Sequence, residues 1–559
     1  MGEAGMELTR RGSLGVLGAA ALAAPAPTMA AASAAGPFTP DWASLAAGYR
    51  APSWFRDAKF GIWAHWSAQC VPEEGDWYAR NMYLQGSRAN RAHLARYGHP
   101  SRFGFMEIDN LWKAEHWDPE RLIDLYTRAG AKYFVALANH HDNFDAFDST
   151  YHPWNATRVG PKKDIVGTWA KAARARGLRF GVSNHSSHAW HWLQPAYGYD
   201  AEGPMRGQRY DAWRISRADG AGKWWEGLDP QDLYTGRNMP IPDGVVSILE
   251  ATAFHDRTDG LWYEDPPRIN PQFARNWFLR CRDLIDKYQP DLLYFDDTGL
   301  PMGQYGLEIA AHYYNASRTR SGGRVDVVLN GKMLPVERRM ALVEDVERGG
   351  KPAIDIYPWQ TDTCLGNWHY DRALYEADGY KTAATVLHTL CDVVSKNGAL
   401  LLSVPVRGDG TIDEKEEQIV EEIAAWMGRY GDAIHGSRPW RVHGEGPTNA
   451  RSGMFAEGGA NSPYTARDVR YVRKGQDVYA LVLGWPEDGV ARLTLWGRDN
   501  PVGRGELDRV SVVGSAAPLE FRRSGAALEV PLPEAMRNRI GIGLRLSGSG
   551  LVEGSLAEA

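Results

Sequence analysis

Between Phe60 and Val404 the chain alternates short, almost wholly apolar runs with longer segments whose apolar residues recur at helical spacing. The runs are FGIWAHW (60–66), YFVALA (133–138), RFGVSNH (179–185), DLLYFDD (291–297), DVVLNG (326–331) and ALLLSVP (399–405). Runs this short, apolar on both faces, predict strands covered on both sides. Between them, Leu122, Ile123, Leu125 and Tyr126 follow Asp118-Pro119, and Ile165, Val166, Trp169 and Ala172 follow Asp164. Further on, Phe273, Trp277, Cys281, Leu284, Ile285 and Tyr288 share one helical face. An aspartate caps the free amides of a first helical turn, and proline at the first helical position gives up no hydrogen bond. Strands alternating with helices in this way predict an α/β fold: a (β/α)8-like, TIM-type barrel. The rival, a doubly wound open sheet, would carry a Gly-rich fingerprint after a strand, and none is found.

Two stretches break the rhythm. Pro195 to Gly260 is long, polar and aromatic, which predicts a lid or binding loop. After the helix carrying Ile419, Ile423 and Trp426, short alternating strands take over: DVYALVLGW (477–485), VARLTLWG (490–497), ALEVPLP (527–533) and IGLRLSG (542–548). These predict an antiparallel β-sandwich over residues 437–559, leaving 35–436 for the barrel. At the N-terminus Arg10-Arg11, the apolar VLGAAALAA and Ala32-Ser33-Ala34 form a charged region, a short apolar core and a cleavage-type site. Residues 1–34 are therefore expected to be a twin-arginine leader of bacterial type, and the mature protein to be exported, periplasmic or secreted. No other apolar run approaches the roughly 18 residues a membrane span needs.

The net charge of −6 over 559 residues, without a basic run, argues against a nucleic-acid partner. The 22 Trp and 25 Tyr fit a large core or sugar-stacking surfaces. Cys70, Cys281, Cys364 and Cys391 are too scattered for a zinc or disulfide framework.

In a parallel barrel, chemistry is done at the C-terminal ends of the strands. Those ends here carry His65-Trp66, Asn139-His140-His141-Asp142, Asn184-His185, Asp296-Asp297 and Asn330. No His-x-His or HExxH spacing marks a metal site, so neither metal nor other cofactor is expected. No nucleophile elbow is present either. Cleavage of a glycosidic bond needs two carboxylates among hydroxyl-binding neighbours, and Asp296 or Asp297 supplies one of them.

Four motifs in order extend this reading. FGIWAHWSAQCVPEEGDWYARNMY, AGAKYFVALANHHDNFDAFDST, YFDD and NGALLLSVPVRGDGTI resemble the α-L-fucosidases of glycoside hydrolase family 29 over about Trp54 to Trp440. The resemblance implies an exo-acting, retaining enzyme that releases fucose from an oligosaccharide or glycoconjugate, with Asp296 as nucleophile. It also puts His65, Asp76, Trp77, His140, His141, His185, Tyr294 and Trp359 at the sugar. Strand alternation agrees that the paired aspartates differ, since Asp296 shares a face with Tyr294 and Asp297 lies on the other.

The sequence departs from the family pattern at several positions. Asp76 replaces glutamate, Asn143 replaces glycine, Asn184 and His185 replace aromatic residues, and Lys332 replaces arginine. Gln360 stands where a Trp-Glu pair is usual, which leaves the acid/base open among Glu337, Glu344, Asp345 and Glu347. The string EDVERG favours Glu347, with Arg348 beside it. A hydrolase of a related sugar such as an α-L-galactoside, or a non-catalytic fucose-binding relative lacking its acid, are the alternatives. The sequence carries no reading of the oligomeric state.

Overall fold

The computed structural model describes residues 37–448, 450, 452–457 and 463–556, so the expected leader lies outside the described residues. Eight parallel strands close in chain order: β1 (Phe60–Ala64), β2 (Tyr133–Asn139), β3 (Arg179–Asn184), β4 (Leu292–Thr298), β5 (Val328–Lys332), β6 (Val343–Asp345), β7 (Trp359–Cys364) and β8 (Gly398–Ser403). Phe60 lies opposite Leu400 and Trp63 opposite Ser403, so β8 pairs with β1 and the barrel has no free edge. The expected barrel is present. The helices start where the caps predict: Asp118 accepts from the Arg121 amide and Asp164 from the Gly167 amide.

The apolar-run rule passes over two strands, β6 and β7. β6 lies between the run ending at Gly331 and Trp359, where β7 begins. Both carry polar residues toward the barrel axis, which hides them from a hydrophobic pattern. Each of those groups finds at least one partner inside the barrel. Gln360 accepts from the Tyr133 hydroxyl (3.0 Å) and donates to Asp345 (2.7 Å), while Asp362 accepts from Tyr294 (2.7 Å). Glycine on β1 makes the layer possible, since a Cβ at Gly61 would stand 2.4 Å from the Tyr133 ring.

Thirteen of the 22 tryptophans are buried, so most of them belong to the folded interior. The four cysteines are free and buried. The 195–260 insertion is ordered as short helices (Asp211–Arg214, Pro230–Tyr234, Ile248–Arg257) around the buried Asp211 carboxylate, which accepts from Tyr83 (2.8 Å) and Tyr234 (2.5 Å). Asp259 pins its end to Arg80 (2.7 Å) and His255 (2.8 Å).

The C-terminal strands are β9 (Arg438–Glu445), β10 (Val469–Lys474), β11 (Asp477–Val482), β12 (Val490–Leu493), β13 (Glu506–Val512), β14 (Arg522–Arg523), β15 (Leu528–Pro531) and β16 (Ile542–Ser549). They form two antiparallel sheets, ordered β13-β16-β11-β10-β9 and β12-β15-β14. Trp440 of β9 stacks on Trp496, which follows β12, with ring centroids 5.1 Å apart. Among the described residues no helix is long and apolar enough to cross a membrane.

Candidate active site

A cavity of about 750 Å³ opens at the C-terminal mouth of the barrel. Several of its lining residues stand at or just past a strand end: His141 after β2, Asp296 and Asp297 at the end of β4, Lys332 at the end of β5, Glu347 after β6 and Trp368 after β7. Asp76 and Trp77 come from the loop after β1, and Trp192 and Trp262 flank the insertion.

Lys332 ties the chemistry together. Its ammonium donates both to Asp296 Oδ1 and to Glu347 Oε2. Two oxygens sharing one nitrogen are at most about 6 Å apart, twice a usual hydrogen-bond length. Burial would raise the Asp296 pKa, but the Lys332 charge and hydrogen bonds from His141 and His185 outweigh it and hold the carboxyl well below its usual range. His185 Nδ1 lies 3.2 Å and His141 Nε2 3.4 Å from Asp296 Oδ2. Burial dominates at Glu347 instead and pushes its pKa up to about 7, against the pull of Lys332. Lys332 itself is held above the ordinary lysine range, because the charges of Asp296 and Glu347 exceed its own cost of burial.

Of the four acid/base candidates, Glu347 alone lines the cavity. Glu337 lies in the exposed 336–338 turn, Glu344 pairs with Lys351 and Arg339, and Asp345 is bonded to Gln360 inside the barrel. Gln360 also lies in that interior layer, so its lack of a carboxylate takes nothing from the cavity.

Asp297 faces away from Asp296, as strand alternation predicts. It accepts from Ser187 Oγ (2.9 Å) and pairs with His188 Nε2 (2.7 Å). Burial, reinforced by the negative charge of Asp296, raises its pKa to about 7.

The structure brings Asp76, Trp77 and His141 to the cavity wall, with Asp76 accepting from the His369 amide (2.8 Å). His185 sits behind Asp296. His65 and His140 lie one layer deeper, bonded to Ser403 (3.3 Å) and Gln69 (3.2 Å). Burial holds His65 and His140 well below the usual histidine range and His185 at about 4, so these rings stay neutral and can both donate and accept.

Two expected sugar contacts are corrected. Tyr294 lies beneath the floor, donating to Asp362. Trp359 points to the helix side of β7, where its indole donates to the Lys396 carbonyl (2.9 Å). A strand sends alternate side chains to opposite faces, and Gln360, not Trp359, holds the inward register there.

The bridging part of Lys332 goes unnoticed in the sequence, as do Trp192, Trp262, Trp368, His369 and the 454–457 segment. Trp368 and His369 follow the end of β7, so recognising that strand would have exposed them. Among the described residues, three donor groups of metal-ligand type are also assembled from separate segments of the chain: His65/His140/His185, His141/His185/Asp296 and His188/Glu264/Asp297, each with atoms within 4.8 Å. Spacing along a single segment cannot reveal such sets. The first two sets hold His185, whose ring is hydrogen-bonded to Asp296.

A closed parallel barrel with paired carboxylates and indoles at its C-terminal mouth fits one class of protein, the glycoside hydrolases. The chain matches the Alpha-L-fucosidase family over residues 26–432 and the Alpha-L-fucosidase C-terminal domain over residues 462–546. It belongs to the α-L-fucosidase family. It is 26% identical over 469 residues to the tissue alpha-L-fucosidase of Homo sapiens, covering 82% of this chain and 80% of the relative. It is also 26% identical over 517 residues to the human plasma alpha-L-fucosidase, covering 88% of each. The Thermotoga maritima alpha-fucosidase, solved with a mechanism-based inhibitor, superposes with a TM-score of 0.64 at 24% identity, over 91% of this chain and 99% of that one.

Proposed function

We propose that this α-L-fucosidase releases terminal α-L-fucose from an oligosaccharide or glycoconjugate by double displacement, with Asp296 as nucleophile and Glu347 as acid/base. One observation carries the reading: a single lysine ammonium bridges the two carboxyl groups. The two bonded oxygens are thereby at most about 6 Å apart, a closeness that suits the ~5–5.5 Å carboxyl separation of retaining enzymes.

In the first step an Asp296 oxygen attacks the anomeric carbon, the glycosidic C–O bond breaks, and Glu347 gives its proton to the departing oxygen. In the second, Glu347 takes a proton from water as that water attacks the same carbon and frees Asp296. Ionised Asp296 and protonated Glu347 suit the first step. Asp76, Trp77 and His141 are positioned for the sugar's hydroxyls and ring, with His185 orienting the nucleophile.

The pH profile follows from these charges. Glu347 must hold its proton to act as acid, so kcat/KM is expected to fall as pH rises through about 7. Glu347→Gln should remove that limb, as read from rate–pH profiles of both proteins. The substrate is tested by turnover of aryl α-L-fucoside against aryl α-L-galactoside. Fucoside hydrolysis with retained configuration is expected, and preference for the galactoside would replace the sugar in this reading. Export through the leader at residues 1–34 and a domain boundary after residue 436, between the Gly431–Ala433 turn and β9, complete the proposal.

A further inference from the structure

The geometry points to a binding site on the far side of the scissile bond: we infer that residues 453–457, from between β9 and β10, hold the first sugar of the leaving group, with Phe455 as its stacking platform. The inference rests on the fucosidase reading above and adds what recognises the rest of the glycan.

If Glu347 protonates the glycosidic oxygen, the leaving-group sugar lies beyond it, toward the cavity mouth. The C-terminal module reaches that place. Gly453 N donates to Gly350 O, Phe455 N to Glu347 O and Glu457 N to Arg348 O, each at 2.8 Å. The two segments run so close that a Cβ on Gly349 would stand 1.8 Å from the Gly453 carbonyl. A strand-like piece of the sandwich region is thus bonded to the main chain of the acid/base residue itself.

Phe455 is 64% exposed and has φ +54°, a left-handed conformation that bulky residues avoid. Trp77, Met333 and Arg348, also on the cavity wall, have φ of +61°, +51° and +45°. Strained backbone of this kind collects at binding and catalytic sites, where the surrounding structure holds it in place. Here the main-chain bonds to Glu347 and Arg348 do the holding.

The chemistry matches a pyranose. An aromatic ring covers the C–H face of a sugar, while neighbouring polar groups take its hydroxyls. Two residues on from Phe455 and also on the cavity wall, the Glu457 carboxylate is fixed by Thr363 Oγ1 (2.8 Å), Arg348 (3.2 Å) and Lys381 (3.3 Å), so the segment also carries a rigid acceptor.

The test compares the full-length protein with Phe455→Ala and Phe455→Tyr on a fucosyl-oligosaccharide and on α-L-fucosyl fluoride, which has no leaving-group sugar. The ratio of kcat/KM for the oligosaccharide to that for the fluoride should fall about tenfold in Phe455→Ala, through KM, as loss of one aromatic contact implies. Phe455→Tyr should restore it. In an Asp296→Ala background, Phe455→Ala should weaken oligosaccharide binding by a similar factor and hardly shift that of free L-fucose, both read by calorimetry. An unchanged ratio, or equal losses on both substrates, overturns the subsite and leaves the fucosidase reading standing. A wild-type protein that hydrolyses neither fucosyl compound overturns both.

Discussion

Asp296→Ala is expected to lower turnover of any α-L-fucoside by on the order of 10⁴-fold or more, the scale of losing a nucleophile. Without its carboxylate no glycosyl-enzyme can form. The product formed with an added anion makes the result specific. Azide can enter the vacated space and attack the anomeric carbon of an activated aryl fucoside directly. A single displacement inverts configuration, so the product should be β-L-fucosyl azide. Asp297→Ala should cost far less, because that carboxyl is bonded to Ser187 and His188 and lies on the opposite face of β4 from Asp296. If Asp297→Ala is the more damaged variant, or the Asp296→Ala protein gives the α-azide, the nucleophile is misassigned.

Glu347→Ala should separate substrates by their leaving groups. General acid catalysis contributes about 10²–10⁴-fold, and a loss of that size is expected on a fucosyl-oligosaccharide, whose alkoxide leaves poorly unless protonated. An aryl fucoside with an acidic phenol departs unaided, so its first step should be nearly unaffected. The second step then limits the rate, because no base remains to activate water, and glycosyl-enzyme should accumulate. Azide needs no base and should restore turnover. Its product should be α-L-fucosyl azide, the opposite anomer from Asp296→Ala, since two displacements retain configuration. Equal losses on both substrates would move the acid/base role elsewhere.

Much of this site is legible in local sequence. Asp296 and Asp297 end an apolar run, and the two-residue period of a strand is enough to send them to opposite faces. His141, Asp76 and Trp77 fall where motif and strand-end rules meet. Lys332 shows the opposite case. As a departure from an arginine it reads as a lost fork, yet in the barrel it is the cation that joins Asp296 to Glu347. Nothing near it in the chain states that partnership, because its partners lie 36 and 15 residues away.

The alternation of strands and helices, the barrel class, the antiparallel C-terminal module and the strand that carries the paired aspartates are all written in the chain. Each of these follows from how one short segment buries its own apolar face, and periodicity records that directly. Closure of the barrel was needed to establish that β6 and β7 are strands, that Gln360 and Tyr294 form a polar layer below the floor, and that Trp359 turns away from the cavity. It also distinguished Glu347 from Glu337, Glu344 and Asp345, and brought residues 453–457 against the acid/base loop. These outcomes depend on which polar groups find partners across the barrel. A buried carboxylate or amide is tolerated only when a group from another strand satisfies it, and such a pairing is a relation in space that no single segment of the chain records.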